Sequence, residues 1–370
     1  MKVMTVLGTR PEIIRLSQVI PVLDRHCEHI LVDTGQNQDS LLSDIFYSGL
    51  DVRRPDISLG IIGQSPAQQI AKILTGVEEL ITRHRPDRML ILGDTNSGLA
   101  ALIACRMGVP VFHLEAGNRC FDDRVPEEVN RRLIDHSSAV LMPYTERGRM
   151  NLLREGIEPA RIFVVGNPIY EVLEVQRSAI DASDVHQRLG LQRGQYFVVT
   201  THRQENVDLE PRLRSIVASI AAISRRFGAP VLWNVHPRTR SRLDAFAVDV
   251  PAEIIVSEPF GFHDFVALER HALCALTDSG TVQEECSILK IPNVTLRDVT
   301  ERPETIEYGS NIVSGIAPPD VVRAVELALE SPPTWQPPPE YLRANVSQAA
   351  ARIILGHYRS MTGAPVTSVP

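Results

Sequence analysis

The chain opens Met1-Lys2-Val3-Met4-Thr5-Val6-Leu7-Gly8-Thr9-Arg10-Pro11-Glu12. A short apolar run meets a glycine turn, then an arginine, then a proline suited to a first helical turn. That order reads as a buried strand feeding a helix, the opening of a parallel α/β unit. The run is shorter than a secretory leader's apolar core, so it is expected to be structure and not a targeting segment.

The same rhythm continues along the chain. Strands are expected at Val3–Leu7, Ile30–Asp33, Met89–Leu92, Val111–Leu114, Ala139–Met142 and Ile162–Val165. After a polar stretch they resume at Phe197–Thr200, Val231–Asn234, Ile254–Val256, Cys274–Thr277 and Val294–Leu296. Helices are expected at Ala67–Arg83, Asn130–Asp135, Arg147–Glu155, Pro211–Phe227 and Val282–Leu289. Continuous apolar strands separated by helices imply parallel sheets covered on both faces. Two such series imply an α/β protein of two doubly wound, Rossmann-like domains with a ligand cleft between them. The expected division is residues 1–168, residues 169–340, and a helix in 341–370 that returns to the first domain. The proline-rich stretch Ser331–Pro339 reads as a loose linker, since its prolines cannot continue a helix.

Composition narrows the classes. The 370 residues are 44% hydrophobic and 22% charged, with a formal net charge of −7. That balance disfavours nucleic acid or an anionic membrane as partner. No apolar run approaches the roughly 18 residues of a membrane span. Five scattered cysteines without a CxxC pair suit reduced thiols in the cytoplasm. No GxGxxG or GxxxxGK[ST] follows a strand, and no HExxH occurs, so neither nicotinamide, P-loop nor metal chemistry is expected. The expected cofactor is none.

Ligands of such sheets gather where strands end, so polar clusters directly after a strand are the candidates. Arg10 follows the first strand and suits phosphate oxygens; its alternative is a surface pair with Glu12. Asp94, in Gly93-Asp94-Thr95-Asn96, and Glu115, in His113-Leu114-Glu115-Ala116-Gly117, each set a carboxylate at a strand mouth. A buried carboxylate demands partners or a function. Asp94 has helix capping as its alternative. Glu127 and Arg131 are four apart after Pro126, either a solvated salt bridge or a second carboxylate for the same cleft. In the second series, His202 and Arg203 suit phosphate contact or proton transfer. Thr277-Asp278-Ser279-Gly280-Thr281 leads into a helix whose N-terminal N–H groups attract anions, with helix capping by Ser279 a compatible alternative. Glu285 lies one or two turns further on. Phosphate contacts plus several carboxylates suggest acid/base chemistry on a nucleotide-linked substrate.

In order along the chain, these motifs resemble the non-hydrolysing UDP-N-acetylglucosamine 2-epimerase family. The resemblance runs through Gly8–Glu12, Thr34-Gly35-Gln36, Gly93-Asp94-Thr95, His113–Gly117, Pro126-Glu127-Glu128, Asn130-Arg131, His202-Arg203, Asp278-Ser279-Gly280, Gln283-Glu284-Glu285 and Glu301-Arg302-Pro303-Glu304. It implies a glycosyltransferase-B type fold, acid/base carboxylates in the first domain and UDP in the second. It also implies a homodimer and a UDP-linked N-acetylhexosamine as substrate. The reaction implied is anti-elimination of UDP and re-addition through 2-acetamidoglucal. Asp94, Glu115 and Glu127 become the acid/base group, while Arg10, Arg15 and His202 stabilise charge on departing UDP. Arg131 would hold Glu127 or a phosphate. Ser279, Gly280 and Thr281 would bind phosphates, Glu285 the ribose and Arg302 the nucleotide side. Phe260 and Phe265 fall at the uracil, with plain core packing as their alternative.

Some positions depart from the usual pattern. Arg15 replaces a lysine, Ser279-Gly280-Thr281 replaces a serine and two glycines, and the loop Gly117–Pro126 is short. With His236–Arg240 and Gly261–Asp264, the short loop resembles a branch acting on UDP-2-acetamido-2,6-dideoxy-L-talose. Gly35-Gln36-Asn37-Gln38-Asp39 lacks the histidine and methionine of the bacterial allosteric site. A UDP-sugar glycosyltransferase and a non-catalytic nucleotide-sugar sensor are the competing readings.

Overall fold

The structure is a computed structural model and describes residues 1–36, 40–61, 65–330 and 332–356. Residues 37–39 of the Gly35–Asp39 motif, Ser331 and the end of the expected C-terminal segment lie outside the described residues. The chain divides into two compact units: Met1–Val172 with the described part of Arg343–Pro370, and Leu173–Leu342.

The first unit holds β1 (Lys2–Leu7), β2 (Glu28–Asp33), β3 (Ile57–Ser58), β4 (Arg88–Leu92), β5 (Val111–Leu114) and β6 (Val140–Met142) in one parallel sheet, ordered β3-β2-β1-β4-β5-β6. The second holds β7 (Phe197–Thr201), β8 (Val231–Val235), β9 (Ile254–Ser257), β10 (Cys274–Thr277), β11 (Asn293–Thr295) and β12 (Asn311–Val313), ordered β12-β11-β10-β7-β8-β9. Counted from its own first strand, the second sheet has the order of the first. Both are the doubly wound Rossmann order, whose ligand edge lies at the strands' carboxyl ends.

The strands form where apolar side chains fill both faces: Val3, Met4, Val6 and Leu7 of β1 are wholly buried. Trp233 of β8 is fully buried and donates Nε1 to Thr201 Oγ1 at 3.2 Å, giving its one polar atom a partner. Helix Pro66–His84 shows the usual punctuation: Ser65 accepts from Gln68 N at its start, and Arg85 turns left-handed (φ 49°) at its end.

Three expectations change. Ile162–Val165 is no sheet strand; it makes a single bridge, Leu141 to Ile162, because beyond it Val165 N bonds Pro143 O but Pro143 has no N–H to return to the ladder. β3 and β12, of two and three residues, escaped notice because neither is long enough to show a period. The Ser331–Pro339 stretch is not loose where described: Trp335 donates Nε1 to Ser287 O at 3.2 Å, and Lys290 bonds the Trp335 carbonyl. The stretch is thereby pinned to helix Gly280–Leu289. In the first unit, helix Val346–Leu355 packs on helix Val19–His26, and Glu171 accepts from Ser347 N at 2.8 Å and its hydroxyl at 2.5 Å. No helix among the described residues is long and apolar enough to cross a membrane.

Candidate active site

In the first unit the mouths of β1, β4, β5 and β6 converge on a set of carboxylates. Glu115 directly follows β5 with φ +72°, a left-handed turn that swings its side chain over the sheet edge. Its Oε2 bonds the Arg15 guanidinium and accepts from the Tyr144 hydroxyl at 3.1 Å; its Oε1 accepts from Asn118 Nδ2 at 3.2 Å. Glu115 is 5% and Arg15 3% exposed, so the pair is shielded from solvent and its charges depend on each other. Arg15 also stacks over the Tyr144 ring at 5.7 Å.

The resemblance set Arg15 toward departing UDP; here its guanidinium lies on Glu115. Five residues separate it from Arg10, about 140° around a helix of 3.6 residues per turn. The two arginines of helix Arg10–Leu16 therefore face different ways. Arg10 lies half-buried over the Phe46 ring at 5.9 Å, while Arg15 points to Glu115.

Asp94 follows Gly93 (φ +70°) after β4. Its Oδ2 accepts from Arg131 Nε at 3.1 Å and Nη2 at 2.7 Å, while Arg131 Nη1 bonds Glu128 Oε2 at 2.7 Å. Arg131 thus holds Asp94 and Glu128. Glu128 is wholly buried and accepts from the amides of Cys120 and Phe121 at 3.0 and 3.1 Å, fastening the short loop. Glu127 is half-buried in the first turn of helix Pro126–Ser137. A Cβ on Gly93 would stand 3.6 Å from Glu115 Oε2, so Glu115 reaches back to the turn that precedes Asp94.

Glu12 is not at the surface with Arg10. It is buried and accepts from Gly8 N (2.9 Å), Thr9 N (2.7 Å), the Thr9 hydroxyl (2.8 Å) and the Thr95 hydroxyl (3.0 Å). Burial pushes its carboxyl up to about 7, against the pull of those donors. Glu12 closes the capping box of its own helix and joins the turn after β1 to the turn after β4.

In the second unit, buried Asp278 organises the edge. It accepts from His202 N at 3.0 Å, Arg203 N at 3.0 Å and Asn206 Nδ2 at 3.1 Å. Burial raises its carboxyl while those donors lower it. His202 Nδ1 lies 3.4 Å from Asp278 Oδ1, and its ring is tilted against His236 with centroids 5.5 Å apart. Ser279 is the N-cap of helix Gly280–Leu289, yet its side chain makes no cap hydrogen bond, so capping does not account for it. A Cβ on Gly280 would come within 2.6 Å of Glu301 Oε1, so any larger residue must displace that carboxylate or the helix start. Thr281 is half-buried beside it. Arg302 is buried on Glu284, and Glu301 bonds Arg297 at 2.7 Å and Arg203 at 3.3 Å. Glu285 is buried beside wholly buried Glu269, whose carboxyl is pushed well up by burial and by the Glu285 charge. Phe260 and Phe265 are half-buried, whereas Phe262 takes the core position between them.

Each sheet edge therefore gathers its own set: Asp94, Glu115, Arg15 and Arg131 in the first unit; His202, Ser279, Gly280, Glu285 and Arg302 in the second. Sequence reasoning missed Glu12, Tyr144, Glu128 and Asp278 as parts of these sets. Tyr144 stands two residues past β6, where the strand-mouth rule would have found it. The first set has carboxylates at adjacent strand mouths held in fixed orientation, suited to moving protons; the second has a helix N-terminus suited to phosphate.

The comparisons agree with this geometry. The family model described as UDP-N-acetylglucosamine 2-epimerase matches residues 22–355. A UDP-N-acetylglucosamine 2-epimerase of Methanocaldococcus jannaschii is 40% identical over 348 residues, covering 91% of this chain and 95% of that protein. The crystal structure of the M. jannaschii UDP-GlcNAc 2-epimerase in complex with UDP-GlcNAc and UDP superposes with a TM-score of 0.91 at 39% identity, over 95% of this chain and 99% of that one. A UDP-2,3-diacetamido-2,3-dideoxy-D-glucuronate 2-epimerase of Pseudomonas aeruginosa is 36% identical, covering 89% of this chain and 92% of that protein. With two Rossmann-like domains of the glycosyltransferase-B type and a match over most of its length, the chain belongs to the UDP-N-acetylglucosamine 2-epimerase family, whose members are isomerases.

Proposed function

We propose that the chain is a non-hydrolysing UDP-N-acetylglucosamine 2-epimerase that interconverts UDP-GlcNAc and UDP-ManNAc. The observation that carries the reading is two carboxylates at adjacent strand mouths, each held by an arginine: Asp94 on Arg131 and Glu115 on Arg15. In the proposed reaction one carboxylate takes the proton from sugar C2 as the C1–O bond breaks and the electron pair leaves with UDP. The product pair is 2-acetamidoglucal and UDP. A carboxylic acid then returns a proton to the opposite face of C2 while UDP oxygen re-attacks C1. Two faces need two groups, which a set of Asp94, Glu115 and Glu127 supplies. No hydride moves, so the scheme needs no nicotinamide.

Arg10 and His202 are assigned to the charge that develops on UDP. Ser279, Gly280 and Thr281 are assigned to its phosphates, Glu285 to the ribose, and Phe260 and Phe265 to the uracil. Arg302 acts through Glu284, the carboxylate it bonds. A homodimer and a cytoplasmic location belong to the same reading. The neighbouring helices Ala100–Arg106 and Pro126–Ser137, which expose Leu102, Val129 and Leu133, support the dimer, and five unbridged cysteines support a reducing compartment.

The test is incubation with UDP-GlcNAc in deuterated water, following the C2 proton by NMR. The epimerase takes up deuterium at C2 without an acceptor. A glycosyltransferase needs an acceptor, and a sensor leaves the proton in place. Running UDP-2-acetamido-2,6-dideoxy-L-talose in parallel assigns the sugar, because that substrate undergoes the same chemistry at C2.

A further inference from the structure

His113 and Asp135 hydrogen-bond neither of the strand-mouth carboxylates themselves, yet one binds the carbonyl just before Asp94 and the other the amide two residues after Glu115. His113, wholly buried at the third position of β5, sets Nε2 2.8 Å from the carbonyl oxygen of Gly93, the residue before Asp94. A carbonyl only accepts, so the ring donates there. Its Nδ1 meets Asp135 Oδ1 at 2.8 Å. Asp135, also wholly buried, comes from helix Pro126–Ser137, and its Oδ2 accepts from Gly117 N at 3.1 Å, two residues after Glu115. Arg119 Nη1 reaches the same oxygen at 2.8 Å and the Asn118 carbonyl at 2.7 Å, while the Asn118 side chain donates to Glu115. One ring and one carboxylate therefore connect the turn carrying Asp94 to the turn carrying Glu115.

Both turns need such a clamp. Gly93, Glu115 and Gly117 all have left-handed backbone, at φ +70°, +72° and +80°. Glutamate gains nothing locally from that conformation, which is costly in a non-glycine residue and persists only where surroundings over-determine it. The remaining backbone groups of the two glycines are tied as well: Gly93 N donates to Leu114 O at 2.9 Å, and Gly117 O accepts from Asn151 Nδ2 at 3.0 Å. A Cβ on Gly117 would stand 2.3 Å from Gly148 O, so the turn has no slack on its far side.

We propose that His113 and Asp135 are positioning residues that set the separation of Asp94 and Glu115, and with it the fit of the two groups to opposite faces of the sugar carbon. The inference rests on the 2-epimerase reading. A misplacement of about 1 Å at a reacting pair costs about a hundredfold in rate. Because UDP is assigned to the other domain, the loss falls on turnover and not on nucleotide affinity.

The experiment compares Asp135→Asn with Asp135→Ala. In Asp135→Asn the amide oxygen still accepts from Gly117 N and Arg119, and the amide nitrogen meets His113 Nδ1, so the connection survives. In Asp135→Ala it is gone. The expected result is kcat within about threefold of wild type for Asp135→Asn and at least about thirtyfold lower for Asp135→Ala, with KM and UDP affinity within about threefold in both. If Asp135→Ala does not fold, His113→Gln carries the test: its amide reaches toward Gly93 O but drops Asp135, and kcat is expected to fall with KM unchanged. A kcat within threefold of wild type in whichever of these two variants carries the test, or equal losses in Asp135→Asn and Asp135→Ala, overturns the proposal. Wild-type protein that does not epimerise in the same assay overturns the 2-epimerase reading instead.

Discussion

Arg131 and Asp94 meet in a fork: Nε and Nη2 of the guanidinium reach the same carboxylate oxygen, at 3.1 and 2.7 Å. The third nitrogen, Nη1, is bound to buried Glu128. The arginine is thus fixed at all three corners, and Asp94 inherits its orientation. A lysine offers one point of charge in place of a planar fork. Arg131→Lys is expected to lower kcat at least about tenfold, and Asp94→Asn at least about a hundredfold, the scale of a positioned acid or base. Steady-state kinetics beside calorimetric UDP binding checks both, because UDP affinity is expected to stay within a fewfold of wild type.

Glu115 and Arg15 form a buried pair, and removing one partner strands the other charge. Such a loss costs about 3–5 kcal/mol. Arg15→Ala is therefore expected to melt well below wild type, whereas Glu115→Gln, whose amide oxygen can still accept from Arg15 and Tyr144 while its amide nitrogen faces a turned Asn118 side-chain oxygen, is expected to remain folded yet lose turnover at least about a hundredfold. Thermal melts beside turnover separate the two effects. An Arg15→Ala protein with wild-type melting would place the pair's contribution elsewhere.

Glu12 gives stability a pH dependence of definite sign. Its folded carboxyl lies up at about 7, chiefly through burial, above the ordinary 4.5. Between those values the folded chain holds a proton that the unfolded chain releases. Stability from this group is therefore greatest below the unfolded value and falls as pH rises to 7. Glu12→Gln mimics the protonated form, since the Thr95 hydroxyl can turn to accept from the amide. Denaturation midpoints from pH 5 to 8 are expected to move in favour of Glu12→Gln, by on the order of 3 kcal/mol across the window. A constant difference between the two proteins contradicts this.

At the other sheet edge, Gly280→Ala brings a methyl within 2.6 Å of Glu301 Oε1, a carboxylate held by Arg297. Either the Glu301 side chain or the helix start must shift, and UDP affinity is expected to drop at least about tenfold, the equivalent of 1.4 kcal/mol. Calorimetric titration with UDP measures this directly. A wild-type affinity would remove this turn from the phosphate assignment.

How far these features were legible depended on what each residue's own neighbours in sequence reveal. Central strands such as β1 and β5 read directly because burial on both faces demands an uninterrupted apolar run. β3 and β12 did not, because two or three residues carry no period, and Ile162–Val165 looked like a strand because apolarity is also what buries a departing loop. Asp94, Glu115 and His202 were found because a polar residue directly after a strand stands at the sheet's ligand edge. The pairing of Arg15 with Glu115 was not legible, because the direction of a helical side chain depends on how the helix is rolled against the sheet, which shows only in three dimensions. Glu128 was passed over for Glu127, although Glu128, Arg131 and Asp135 share one face of their helix, at steps of three and four. Asp135 and His113 are 22 residues apart, and only the folding of that helix onto β5 brings them together.

The central claim, that UDP leaves and returns, is tested most directly by positional isotope exchange. UDP-GlcNAc labelled with 18O in the anomeric bridge is incubated with the wild-type chain and followed by phosphorus NMR. Elimination frees the β-phosphate, which rotates before re-addition, so the label is expected to scramble into the non-bridging β-phosphoryl positions as UDP-ManNAc forms. UDP-ManNAc that retains all of its label in the bridge would show that the C1–O bond never broke, and would contradict the account.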